Sequence, residues 1–118
     1  SKTINNMKIY HNPRCRKSRE TLSILIEKKA EFEIIEYLKS PLKKSEIKNI
    51  LSWLKISAKD LIRKEEKLFK ESFKGKDLTD DQCLELICKH PILMQRPIVV
   101  KNQSAVLGRP PINVLDLL

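Results

Sequence analysis

The chain has 118 residues, a formal net charge of +9, 41% hydrophobic residues and only two Gly and six Pro. Those values describe one globular domain with a single core, and they exclude a disordered or collagen-like chain. Three cysteines in a chain without a signal-type or membrane-length apolar run point away from a disulfide framework and toward reduced thiols and a cytoplasmic location.

Residues 1–6 are polar, precede Met7 and read as a tag remnant outside the fold, so the single domain is assigned to residues 7–118. Met7 to Tyr10 reads as a short strand running into the loop at Asn12-Pro13. An amphipathic helix is expected over 16–29, with Ser18, Leu22, Leu25 and Ile26 on one face. The β-rich run 32–38 follows as a second strand. Strand, helix, strand in about 30 residues is a βαβ unit, and its two strands are parallel.

The middle of the chain reads as helical. Ser40-Pro41 is expected to cap and start a helix through Ile47, Ile50, Leu51 and Leu54, and a shorter helix follows near 58–63. The charged stretch 64–76 has no clear period. Thr79-Asp80-Asp81-Gln82 is a capping box that opens a helix running to His90, where Pro91 stops it. Two short strands, 97–100 and 105–107, form an antiparallel hairpin, and Pro110-Pro111 starts a last helix carrying Val114, Leu115 and Leu118. The whole is an α/β domain: βαβ, a helical insertion, then ββα, with a four-stranded mixed sheet.

The chemistry concentrates in His11-Asn12-Pro13-Arg14-Cys15-Arg16-Lys17-Ser18-Arg19. A cysteine between a strand and the start of a helix meets the helix's unpaired N–H groups and the positive end of its dipole. Both favour thiolate, the nucleophilic form, and the same N–H groups can hold an oxyanion. Arg14, Arg16 and Arg19 add general positive field. Cys83 and Cys88 lie five apart in the Thr79 helix, so they form no CxxC pair, and with two histidines at no ligand spacing a metal site is not expected. Five per cent aromatics and no recognised motif give nucleic-acid binding little support, although the positive charge favours an anionic partner.

The element order, with a cysteine after the first strand and a proline before the third, resembles the thioredoxin fold. Four blocks are more specific: His11-Asn12-Pro13-x-Cys15-x-x-Ser18-Arg19, Leu61-Ile62-Arg63-Lys64, His90-Pro91-Ile92-Leu93-x-x-Arg96-Pro97-Ile98-Val99-Val100 and Gly108-Arg109-Pro110. In this order and spacing they resemble the glutaredoxin-dependent arsenate reductase family, over essentially the whole of 7–118.

The resemblance implies that the Cys15 thiolate attacks arsenate and that glutathione attacks the adduct. Arsenic then falls from the +5 to the +3 state, and glutaredoxin clears the mixed disulfide before arsenite leaves. It implies Arg63, Arg96 and Arg109 as the arginines that hold the oxyanion, and His11 as a residue that helps keep Cys15 ionised. Asn12 would orient the loop, Ser18 would donate a hydrogen bond to the sulfur, and Pro97 would occupy this fold's cis-proline position beside it. Ser18 also stands where dithiol thioredoxins carry a second cysteine, so an external thiol must resolve the adduct. Glutathione is then a co-substrate, no cofactor is bound, and the lack of an apolar interface stripe favours a monomer. Two other readings remain at this point: a thiol oxidoreductase of the same fold with another substrate, and a thioredoxin-fold transcription regulator that binds RNA polymerase.

Overall fold

The computed structural model describes residues 7–118; the segment 1–6, read above as a tag remnant, lies outside the described residues. The described chain falls into two compact units, residues 7–40 with Arg96–Leu118, and Pro41–Gln95.

The first unit is a four-stranded mixed sheet in the order β2-β1-β3-β4. Its strands are β1 (Met7–Tyr10), β2 (Glu33–Ile35), β3 (Ile98–Lys101) and β4 (Ser104–Leu107). β1 runs parallel to β2, with Ile9 opposite Ile34, and antiparallel to β3, with Ile9 opposite Val99. The parallel pairing requires a crossover, and α1 (Arg16–Glu27) supplies it. The β3–β4 hairpin closes tightly at Asn102, whose φ of 56° is a turn conformation that Asn tolerates.

Period-2 alternation sends Met7, Ile9 and Val99 to one face of the sheet, where they pack with Leu25 of α1 and Val114. The buried face of α1 is Ser18, Thr21 and Leu25, whereas Ile26 is 61% exposed. The sequence places Ile26 on the buried face, but it stands one residue past Leu25, about 100° further round the helix. α1 also ends at Glu27 rather than 29, because Lys29 turns to φ 58° and the Ala30 N–H closes back onto the Leu25 carbonyl.

β2 is shorter than the run 32–38. At Glu36 the chain turns, its carbonyl accepting both the Lys39 and Ser40 N–H groups, and Tyr37 is buried. That turn also takes up Ser40, so Ser40-Pro41 does not start the next helix. The C-terminal helix is a 3-10 helix, Pro111–Leu117, with Val114 buried and Leu118 47% exposed.

The second unit is helical: α2 (Lys44–Leu54), α3 (Ala58–Leu61), α4 (Lys67–Ser72), α5 (Asp80–Lys89) and a 3-10 turn at Pro91–Leu93. α4 occupies the stretch whose charge hides any period in the sequence. α5 packs against α2, α3 and the 3-10 turn, burying Cys83, Leu84 and Ile87. The capping box forms as read: the Gln82 N–H donates to Thr79 Oγ1 and the Gln82 side chain accepts the Thr79 N–H. Thr79→Ala removes one half of it and is expected to cost about 1 kcal/mol, measured by urea unfolding. No described helix is long and apolar enough to cross a membrane.

Candidate active site

The loop between β1 and α1 is built by Asn12. Its carbonyl accepts the Cys15 N–H at 3.0 Å, its Oδ1 accepts the Arg14 N–H at 3.0 Å, and its own N–H donates to Ser18 Oγ at 3.0 Å. Asn12 is buried at 3% exposure, so these bonds stand clear of competing water. They hold Cys15 as the N-cap residue of α1, with extended backbone and no side-chain cap. The position where Ser or Asp would accept the first free N–H groups is occupied by a sulfur.

That placement decides the state of the thiol. Burial pushes the Cys15 thiol up, but the Ser18 N–H, the Arg96 guanidinium and the Lys17 N–H all favour the anion, and the result is a thiol held below its ordinary value. Arg109 Nη1 lies 4.0 Å from the sulfur and donates to the Arg96 carbonyl at 3.0 Å. One arginine is thereby tied to the backbone of the other, with both near Cys15. Arg96 is buried at 6% exposure, and the Arg96–Pro97 peptide is cis, as expected for that position. The Arg109–Pro110 peptide is also cis, which the sequence reading does not anticipate.

His11 and Ser18 meet each other at this loop. Ser18 Oγ lies 2.6 Å from His11 Nδ1 and accepts the Asn12 N–H. The hydroxyl contacts the loop, and Ser18 addresses the sulfur through its backbone N–H. Burial holds His11 below the usual imidazole range, Glu36 opposing this and Arg19 adding to it. A neutral His11 contributes no cationic field to Cys15 at neutral pH. Its Nδ1 contact with Ser18 Oγ braces the loop.

Arg14 and Arg16 are exposed, Arg16 pairs with Glu20, and Arg19 Nη1 donates to the Pro13 carbonyl at 3.0 Å. Arg63 belongs to the helical unit. Its N–H donates to the Leu93 carbonyl at 2.7 Å, and Ile62 bridges Met94, so the backbone there is firmly set. Its Nε pairs with Glu66 at 2.9 Å, while Nη1 is buried with no hydrogen-bond partner among the described residues.

The sequence reading missed a close approach that positions Arg109. Gly108 donates its N–H to the Pro97 carbonyl at 2.9 Å, and a Cβ there would overlap Thr21 Oγ1 and sit 2.8 Å from Pro97 Cγ. The hint available was Gly itself, rare in this chain and next to a motif arginine. Gly108→Ala must displace Thr21 or the Pro97 ring, so it is expected to destabilise by about 1–3 kcal/mol. Because Arg109 is the next residue, activity should fall more than stability explains, measured by urea unfolding beside turnover.

Cys83 and Cys88 are pushed up chiefly by burial, with Asp80 and Glu85 respectively adding to it. They are held toward the thiol form, whereas the Cys15 thiol is held below its ordinary value. Iodoacetamide alkylation of Cys15, followed by peptide mass spectrometry, should therefore show a pH midpoint below the ~8.5 of a free thiol, with Cys83 and Cys88 above it. Among the described residues no cluster of His, Cys, Asp and Glu has the arrangement of a metal site. What the arrangement supplies is a sulfur nucleophile among oxyanion donors.

Comparison with known proteins agrees in kind. Residues 10–117 match the ArsC family. The chain is 42% identical over 110 residues to the arsenate reductase of Neisseria meningitidis, covering 92% of this chain and 94% of that one. It is 42% identical over 113 residues to YfgD of Escherichia coli K12, an uncharacterized protein, covering 94% and 95%. A solved arsenate reductase from Vibrio cholerae superposes with a TM-score of 0.91 at 38% identity, covering 98% of this chain and all of that one. A Cys15 N-cap site on a four-stranded mixed sheet of thioredoxin-like type, matched over nearly its whole length, places this chain in the ArsC family.

Proposed function

We propose that the protein is an arsenate reductase that uses Cys15 as nucleophile and takes its electrons from glutathione and glutaredoxin. The observation that carries this is the surroundings of Cys15: backbone N–H groups of Lys17 and Ser18 and the Arg96 guanidinium on the sulfur, with Arg109 at 4.0 Å. An anionic nucleophile attacking an oxyanion suffers charge repulsion, and fixed guanidiniums and N–H dipoles offset it. A disulfide substrate would not need them. The named arsenate reductases similar to this chain support the same reading.

The Cys15 thiolate attacks arsenic and displaces hydroxide or water, forming an arsenic–sulfur bond. A glutathione thiol condenses on that adduct. Attack of a glutaredoxin thiolate on the glutathione sulfur then forms a mixed disulfide and leaves an electron pair on arsenic, which passes from +5 to +3. Water releases arsenite and restores Cys15. Two external thiols become one disulfide, which balances the two electrons. Ser18 is consistent with this division of labour, because no second cysteine stands beside Cys15 to form a local disulfide.

The motif proposes Arg63, which belongs to the helical unit, as a third oxyanion arginine. Pro97 helps to shape the wall at the sulfur, Asn12 holds the loop, and His11 acts through Ser18 as a positioning residue. A monomer working in the cytoplasm, with no bound cofactor, fits this scheme. The test is arsenate-dependent NADPH oxidation coupled through glutathione, glutaredoxin and glutathione reductase.

A further inference from the structure

The helical unit contains a cavity of about 430 Å³ that the thiol chemistry does not use. Five lysines line it, Lys59, Lys64, Lys70, Lys74 and Lys76, against one carboxylate, Asp77. Its floor is apolar: Ile62 and Phe69 are buried and Leu78 is half-buried. Local structure explains how the cations collect. α4 ends at Ser72, Gly75 takes φ 82°, and the Lys76 N–H donates to the Phe73 carbonyl, so the chain reverses and brings Lys74 and Lys76 to the same rim as Lys70.

The glutamates of the same stretch pair with cations outside this rim. Glu65 and Glu66 pair with Arg63, and Glu71 pairs with Lys67. Asp80 Oδ1 accepts the Lys59 backbone N–H and keeps its charge beside that lysine, so with Asp77 it offsets part of the rim. Among the described residues none of the five lining lysines makes an ion pair. Like charges gathered around a concave, apolar-floored space repel one another, and a polyanion seated there would relieve that repulsion. The volume lies within the range of small-molecule sites, roughly 300–1,000 Å³. The cations are all ammonium groups, point charges that can pair with phosphate oxygens without imposing a fork geometry.

We infer that this cavity binds an organic phosphate of about mononucleotide size, its phosphates on the lysine rim and its apolar body on the Ile62, Phe69 and Leu78 floor. The site is independent of Cys15 and of the reaction proposed there. Calorimetric titration of the full chain at low salt tests it, using ADP, 1-naphthyl phosphate and pyrophosphate as probes. ADP or naphthyl phosphate should bind one to one with Kd below about 1 mM, and pyrophosphate, which lacks the apolar body, at least tenfold more weakly. Preference for ADP assigns a nucleotide; equal or tighter naphthyl phosphate assigns another aromatic phosphate.

Lys70→Glu/Lys74→Glu should weaken binding at least tenfold, and Lys70→Gln/Lys74→Gln by a smaller factor. Both side chains are exposed, and far-UV circular dichroism checks that the fold is kept. Cys15→Ser should bind as the parent does. The inference is overturned if neither organic phosphate saturates, if pyrophosphate binds as tightly as they do, or if the double variants bind like the parent.

Discussion

Cys15→Ser is expected to take arsenate-dependent turnover below detection while leaving the fold in place. Cys15 is half-buried and stands at the helix N-cap, a position where serine is itself favoured. The variant should therefore unfold in urea at or slightly above the parent midpoint. Its hydroxyl does not ionise near neutral pH, so the donors from Lys17, Ser18 and Arg96 have no anion to stabilise. Activity surviving in Cys15→Ser would assign the nucleophile elsewhere. Cys83→Ser and Cys88→Ser, which remove thiols that burial keeps protonated, should retain most of the activity.

Arg96→Ala carries the second large effect. Arg96 supplies both a hydrogen bond and a positive field to the Cys15 sulfur, and its carbonyl anchors Arg109. Losing a preorganised donor of this kind costs about 10²–10³-fold in turnover in enzymes that stabilise oxyanions. Arg14→Ala removes an exposed cation with no such contact and should change turnover by less than about twofold, in line with the small worth of solvated surface charges. Arg96→Lys should recover only part of the loss, because the charge returns without the fork.

The same substitution has a pH signature. Activity that needs the thiolate rises as pH passes the Cys15 pKa, and that rise should lie below ~8.5 in the parent. Without Arg96 the limb moves to higher pH. Stability follows the same sign: a pKa depressed on folding contributes stability that is present above the unfolded value and is lost as pH falls through the folded one. For Cys15 that loss occurs below ~8.5. For His11, held low chiefly by burial, it occurs below ~6.5. A pH–rate profile with the limb unmoved in Arg96→Ala would remove Arg96 from the control of the sulfur.

Much of the site was legible because it is local. Asn12, Cys15, Ser18 and the helix start lie within a few residues, and N-cap geometry follows from the strand–loop–helix order. The capping box at Thr79 was readable for the same reason. What the sequence did not disclose depends on side-chain orientation and on contacts between separate elements. Ser18 turns to His11 rather than to the sulfur, Gly108 fits between Thr21 and Pro97, and Arg109 donates to the Arg96 carbonyl. His11 offers no cationic field because burial, invisible in a motif, outweighs its neighbouring carboxylate.

Element edges failed where a backbone group found a partner outside the expected pattern. The Glu36 carbonyl closes a turn that shortens β2 and takes Ser40 from the α2 start. In α4 the apolar Phe69 is buried, yet the surrounding lysines and glutamates mask its helical period. Those same lysines make the rim of the helical unit's cavity, so the stretch least readable as secondary structure is the one with a separate chemical possibility.

The most direct measurement is single-turnover mixing of the reduced protein with arsenate, glutathione and glutaredoxin, with arsenite and the glutathione–glutaredoxin disulfide quantified together. The account predicts one arsenite and one mixed disulfide per Cys15, neither forming when arsenate, glutathione or glutaredoxin is withheld. Absence of arsenite with Cys15 verified as reduced, or arsenite formed equally well without glutathione and glutaredoxin, would contradict it.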